Sequence, residues 1–489
     1  MNAPAPSLDR PLAWSATPGR ELLRLSWPIA VSTLSYSVMT LVGIAFVARV
    51  GTAEVAGVGL AGAVAFGLLC FAIGVLRGLK TLVSQAIGAG RRDEVERYLG
   101  TGVLFALGLG TVALCVAEAL APLLGWLTGD PAVGAHAATY LEIRALSAPM
   151  LLVYVALRET RWGEGDTRAP MRASLTGNAV NLALDVVLIL GLGWGVVGAA
   201  VATVCGNAAE LGRLAWPMRA RLARVAWSAR HARALWQQGA ATGVQFTLEV
   251  GAFLLLTAII ARMSATDAAA HQLVLQLTHV SFLPAHALAE AASVMVGNAV
   301  GAARLELVRP VARRALALGA AYTAACTVVF VVLAAPLAAL LGGSEGALAD
   351  VTITLVRISA LFLVADAANV IARGVLRGAG DVVYPAMVGV LSSWILTPPM
   401  AWLLGLELGW GAAGGWLGLT AEILLGAAIL WRRVGRGGWK VAAAASRARM
   451  TAAAARVDGD VAASAALADE DAEVSRPGHT PATCAGEAG

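Results

Sequence analysis

The sequence predicts an all-α polytopic membrane protein, with about twelve transmembrane helices in two parallel-repeat six-helix lobes. Three observations carry this. Of 489 residues, 58% are hydrophobic and 14% charged, with a mean hydropathy of +0.73, whereas a soluble domain carries about 25% charged residues. Apolar runs long enough to cross a bilayer, about 20 residues each, recur between Leu22 and Trp431. Short motifs from the first half return in order in the second.

The apolar periodicity places helices at 22–48, 55–80, 98–126, 136–158, 170–191, 196–219, 235–262, 268–297, 312–341, 349–376, 383–404 and 411–432. Residues 1–21 form a polar N-terminal tail with Pro4, Pro6, Pro11 and Pro18, and the first apolar run is too long for a signal-peptide core. Arg clusters alternate along the chain. One set of loops carries Arg91, Arg92 and Arg97, then a stretch from Arg158 to Arg172, then Arg213 to Arg233. It continues with Arg304 to Arg314, with Arg373 and Arg377, and with Arg432 to Lys440. The opposite set has little more than Arg49 and Arg262. Positive charge stays on the cytoplasmic side, so both termini are expected there, as an even span count requires. The net charge of +5 therefore sets orientation in a membrane and does not point to nucleic acid. Four of the five cysteines lie in apolar segments, in no disulfide or zinc pattern. Residues 434–489 are expected to be a disordered cytoplasmic tail, Ala-rich from 441 with an acidic stretch at Asp469–Glu473.

The internal repeat is read from four matches. Ala48-Arg49 returns as Ala261-Arg262, and Ala86-Ile87-Gly88-Ala89-Gly90-Arg91 as Ala299-Val300-Gly301-Ala302-Ala303-Arg304. Gly165-Asp166 with Pro170 returns as Gly380-Asp381 with Pro385, and Gly193-Trp194-Gly195 as Gly409-Trp410-Gly411. Offsets run from 213 to 216. A unit of six spans enters twice from the same side, so the repeat axis runs along the membrane normal. The N-lobe is 22–219, the C-lobe 235–433, and 220–234 a basic linker. Two such lobes around a central cavity suit alternating access.

A charge at the bilayer centre costs about 2.5–3.5 kcal/mol, so acids deep in the spans need a reason. Glu249 stands among Gly243, Gln245 and Thr247, and Asp366 has Asn369 three residues on, one helix face. Two carboxylates with amide oxygens suit Na⁺, and a buried carboxylate alternatively carries a proton. Asp185 shares a stripe with Asn181 and Asn178. Glu118, Glu210 and Glu422 read as helix-packing groups, and Glu290 as a partner for His286 one turn away. No nucleophile elbow, phosphate loop or metal-ligand spacing is present, so an enzyme, a resident cofactor and ATP hydrolysis are not expected.

Leu82-Val83-Ser84-Gln85-Ala86-Ile87-Gly88-Ala89-Gly90, Ala269-Ala270-His271-Gln272 and Val296-Gly297-Asn298-Ala299 resemble the multidrug and toxic compound extrusion (MATE) family. So do Leu376-Arg377-Gly378-Ala379-Gly380-Asp381 and the twin Gly-Trp-Gly loops. The resemblance covers about residues 20–435 and implies twelve helices in two lobes. It also implies export of drugs or metabolites, often cationic and amphipathic, in exchange for Na⁺ or H⁺. By position, Glu249, Asp366 and Asn369 resemble the cation site of the NorM-like branch. Asp185, Asn181 and Thr203 resemble the polar cluster of the proton-coupled branch. That cluster normally includes an Asp on the first helix, where this chain has Gly43.

The expected partners are a small-molecule substrate and membrane lipid, the expected location the inner membrane, and the expected state a monomer. The alternative is a flippase for lipid-linked saccharides or lipids. Such a protein needs basic residues in its cavity, whereas here the span centres read as acidic, with Arg144 and Arg357 near outer ends.

Overall fold

The computed structural model describes residues 12–340 and 346–452. The first lobe comprises α1 (Pro18–Val47), α2 (Thr52–Gly88), α3 (Arg92–Leu127), α4 (Pro131–Ala145), α5 (Ala148–Gly163), α6 (Arg168–Asp185) and α7 (Gly195–Ala215). A short α8 (Arg219–Leu222) lies in the basic linker. The second lobe comprises α9 (Ala229–Ala261), α10 (Ala265–Gly301), α11 (Val308–Val332), α12 (Ala334–Leu340), α13 (Ala347–Gly378), α14 (Val383–Met400) and α15 (Ala412–Arg436). Among the described residues, eleven segments are long and apolar enough to cross a membrane, and α4 with α5 makes a twelfth bent by 50°. The bend falls where Pro149 opens α5, because proline cannot continue the hydrogen-bond ladder of a preceding helix.

The repeat is written in the backbone. Eight of the ten positive-φ residues among those described fall in repeat pairs, the exceptions being Gly346 and Gly437: Gly90 (75°) and Ala303 (63°), Gly165 (83°) and Gly380 (86°), Gly193 (67°) and Gly409 (70°), and Gly195 (53°) and Gly411 (59°). These eight are the residues that the sequence matches pair. Each lobe also ends its fifth span in a π-helical turn, Val186–Gly191 in one and Ala401–Glu407 in the other. Packing repeats too: α1 lies on α6 as α9 lies on α14, and α3 on α5 as α11 on α13.

The lobes meet through α2 against α9 and α10, and through α1 against α10. Glycine permits this approach. A Cβ on Gly74 would lie 2.5 Å from the Cα of Gly243, and one on Gly239 would lie 2.0 Å from the Val75 carbonyl. Lipid tails are as apolar as leucine, so such small-residue contacts hold helices together by dispersion. The contacts sit in the half of α2 that leads to Arg91 and Arg92. In its other half, Gly59, Gly62 and Gly67 face open space.

Two expectations need correction. Residues 434–452 are not disordered: α15 runs to Arg436, 440–452 are helical, and Trp439, Ala443 and Met450 are buried. The Ala-rich composition read as a tail is also good helix-forming composition, and Trp439 anchors it with Nε1 donating to the Val434 carbonyl at 3.2 Å. Residues 453–489 lie outside the described residues. Second, Arg158, Arg161, Arg373 and Arg377 are not loop charges; they lie within α5 and α13.

Candidate functional site

In the C-lobe, α9, α10, α13, α14 and α15 line a partly open cavity of about 240 Å³. Its polar lining comes from Glu249 on α9, Asp366, Asn369 and Arg373 on α13, Ser393 and Thr397 on α14, and Glu422 on α15; Phe253 and Phe282 supply apolar walls. Asp366, Asn369, Val370 and Arg373 fall at intervals of three, one and three, so one stripe of α13 faces the cavity. Two prolines, Pro398 and Pro399, follow Thr397 in α14. They remove two backbone donors, and the helix loosens into the π-helical turn at Ala401.

The structure thus brings together Glu249, Asp366 and Asn369. Glu249 is held on three sides. Arg373 Nη1 donates to Oε1 at 2.8 Å and to Oε2 at 3.0 Å, and Gln245 Nε2 donates to Oε1 at 2.9 Å. Asp366 has no hydrogen-bond or ion-pair partner among the described side chains. Asn369 Nδ2 donates to the Ile423 carbonyl at 3.4 Å, while its buried Oδ1 has no partner. The Thr397 hydroxyl donates to Glu422. Among the described residues no group of three His, Cys, Asp or Glu has a metal-holding arrangement, so the three carboxylates share a cavity without converging on one point.

Sequence reasoning missed Arg373, Thr397 and Glu422. The stripe rule that paired Asp366 with Asn369 also reaches Arg373, which was assigned to a loop. Glu422, read as a packing group, is 9% exposed and lines the cavity. No local signal marked it, because its partners come from other helices.

In the N-lobe the predicted cluster is only partly assembled. Asp185 is 3% exposed, and its Oδ2 lies 3.6 Å from where a Cβ on Gly43 would stand. An acid on α1 would meet Asp185 there; this chain has none. Asn181 packs against Gly206, and Asn178 Nδ2 donates to Ser35 Oγ at 2.8 Å. Thr203 donates to the Ala199 carbonyl of its own helix at 2.9 Å.

A second charged group lies on the seam between lobes. Lys80 on α2 pairs with Glu290 on α10 and stands 3.9 Å from Glu159 on α5. Arg158 Nη2 donates to Glu159 at 2.9 Å; His286 Nε2 lies 3.4 Å from Glu290 and 3.3 Å from Arg77 Nη2. The His286–Glu290 pairing appears as read from the sequence. The expectation that basic residues avoid the span interior does not hold. Buried carboxylates neutralise Lys80 and Arg158, which is how a lipid-embedded protein carries such residues. His271, weak as a metal signal, bonds the Thr257 hydroxyl and Trp416 Nε1, both at 3.1 Å.

Comparison with known proteins gives a consistent result. The MatE family profile matches residues 28–187 and 241–403, one stretch in each lobe. A Pseudomonas putida protein named "Probable multidrug resistance protein NorM" is 30% identical over 454 residues, covering 87% of this chain and 98% of that one. A protein of the same name from Deinococcus radiodurans is 32% identical over 427 residues, covering 83% and 92%. A solved structure described as an outward-facing conformation of a multidrug resistance MATE family transporter superposes with a TM-score of 0.80 at 21% identity, covering 86% of this chain and 97% of that one. Together with its twelve spans and repeated lobes, these matches place the chain in the NorM-like part of the MATE family, as a membrane transporter and not an enzyme.

Proposed function

We propose that the chain is a secondary antiporter of the inner membrane, with both termini cytoplasmic. It exports amphipathic, cationic drugs or metabolites in exchange for Na⁺ or H⁺, by alternating access of its lobes. The observation that carries this reading is the C-lobe cavity, where Asp366 and the buried Asn369 oxygen stand unpaired beside Glu422. Oxygen donors of this kind suit a hard monovalent cation or an exchangeable proton. The close glycine-backed contacts between the lobes lie in the Arg-rich half of α2, which supports a transporter open to the opposite side. The relatives are named for multidrug resistance, which supports drugs as the substrate. Family membership, rather than charge placement, sets the lipid flippase aside.

The energetics are adequate. Exchange of one monovalent cation for a monovalent cationic substrate moves no net charge, so the ion's chemical gradient drives it. For a neutral substrate, a potential adds about 2.3 kcal/mol per 100 mV, and each 1.4 kcal/mol or so supports a tenfold substrate gradient. The test is efflux of fluorescent cationic dyes from proteoliposomes under imposed Na⁺ or H⁺ gradients. Acceleration by one of the gradients is expected. Efflux indifferent to both, across several dyes, would refute the antiporter.

A further inference from the structure

The C-lobe carboxylates share their cavity with a cation that is part of the chain. Arg373 lies seven residues, about 10 Å of helix rise, along α13 from Asp366. It forks onto both oxygens of Glu249 at 2.8 and 3.0 Å, and Gln245 adds a third donor at 2.9 Å. A carboxylate offers about four lone-pair sites, so protein donors take most of those on Glu249. The opposing helix leaves room for the pair: a Cβ on Gly389 would lie 2.2 Å from Glu249 Oε1 and 3.2 Å from Arg373 Nη2. Asp366 and Asn369 Oδ1 have no such partner. One cavity therefore holds two kinds of carboxylate, one neutralised by a guanidinium and the others not.

Building on the antiporter reading, we propose that Arg373 is a tethered counter-cation occupying Glu249. The coupling ion is then left to Asp366 and Glu422, with Asn369 as a further oxygen ligand, and Arg373 weakens its binding. A coupling site must release its ion in every cycle, and a fixed positive charge nearby promotes release. Glu249 then acts through Arg373, as a positioning residue, and is not itself a ligand of the moving ion. Unit charges about 10 Å apart at an effective dielectric constant of about 20 change an ion's affinity roughly tenfold.

The signs of the variants separate this from a direct ligand role for Glu249. The quantity measured is the concentration of coupling ion that half-saturates dye efflux. Arg373→Met removes the fixed charge, so that concentration falls about tenfold; Arg373→Lys keeps the charge and stays within about threefold of wild type. Glu249→Gln leaves Arg373 unbalanced, so the concentration rises. The double variant E249Q/R373M restores neutrality and returns close to wild type. Loss of ion dependence in both Glu249→Gln and the double variant would overturn the proposal, as would an unchanged or higher requirement in Arg373→Met. Should wild-type efflux ignore both gradients, the antiporter reading fails on its own. The same variants are then ranked by the Na⁺ or H⁺ concentration that raises the melting temperature of purified protein. The same order supports the tethered cation, and identical concentrations in wild type and Arg373→Met overturn it.

Discussion

Replacing Lys80 with Met tests how the lobes hold together. The Lys80 side chain is 5% exposed, and its partners Glu290 and Glu159 are 6% and 0% exposed. Breaking a buried pair by removing one partner costs about 3–5 kcal/mol, because the other charge is left uncompensated. Here Glu159 has a fallback within its own lobe, since it keeps Arg158 at 2.9 Å. The lower end, about 3 kcal/mol, is therefore expected. This energy belongs to the arrangement in which α2 and α10 touch, so the seam opens about a hundredfold more often. Ser84 reports the opening, being 0% exposed with its hydroxyl directed at Gly297. In a background without native cysteines, Ser84→Cys resists a membrane-impermeant maleimide applied from the Arg-rich side. Adding Lys80→Met accelerates labelling, and adding Glu290→Met as well reverses most of that gain, since an apolar pair replaces an ionic one at little cost. Equal labelling with and without Lys80→Met would show that the pair does not hold the seam.

Two further outcomes follow from the backbone. Ala303 is a non-glycine residue at positive φ (63°), where the first lobe has Gly90. Ala303→Gly relieves a left-handed conformation costing about 1–2 kcal/mol and raises the melting temperature; a fall would contradict the strain. At Gly239, a Cβ would lie 2.0 Å from the Val75 carbonyl. Gly239→Ala forces α2 and α9 apart, at about 1–3 kcal/mol, and accelerates labelling of Ser84→Cys from the Arg-rich side; unchanged labelling would contradict the close approach.

Much of the architecture was legible because membrane helices declare themselves locally. A run such as Gly195–Ala215 must satisfy its backbone internally and expose apolar side chains, and both demands are visible in consecutive residues. The repeat was legible through residues with backbone constraints, Gly193, Gly195, Gly409 and Gly411, all of which take positive φ. Glu249, Asp366 and Asn369 were found because a carboxylate or amide in an apolar span is conspicuous. What stayed hidden depends on contacts between helices. Arg373 lies inside the predicted span 349–376 but reads as one of the loop charges until Glu249 of α9 is seen against it. Glu422 becomes a cavity residue only beside Thr397, and Lys80 is tolerable only between Glu290 and Glu159. The helical stretch 440–452 was obscured because alanine suits a buried helix and an unstructured tail alike.

If an ion handled by the C-lobe carboxylates drives export, Asp366→Asn uncouples the two. Proteoliposomes of wild type and Asp366→Asn are compared for uphill dye efflux under the driving ion gradient and for downhill dye equilibration without one. Asp366→Asn is expected to lose the uphill component while downhill movement persists. Uphill efflux in Asp366→Asn equal to wild type would place the coupling outside the C-lobe cavity.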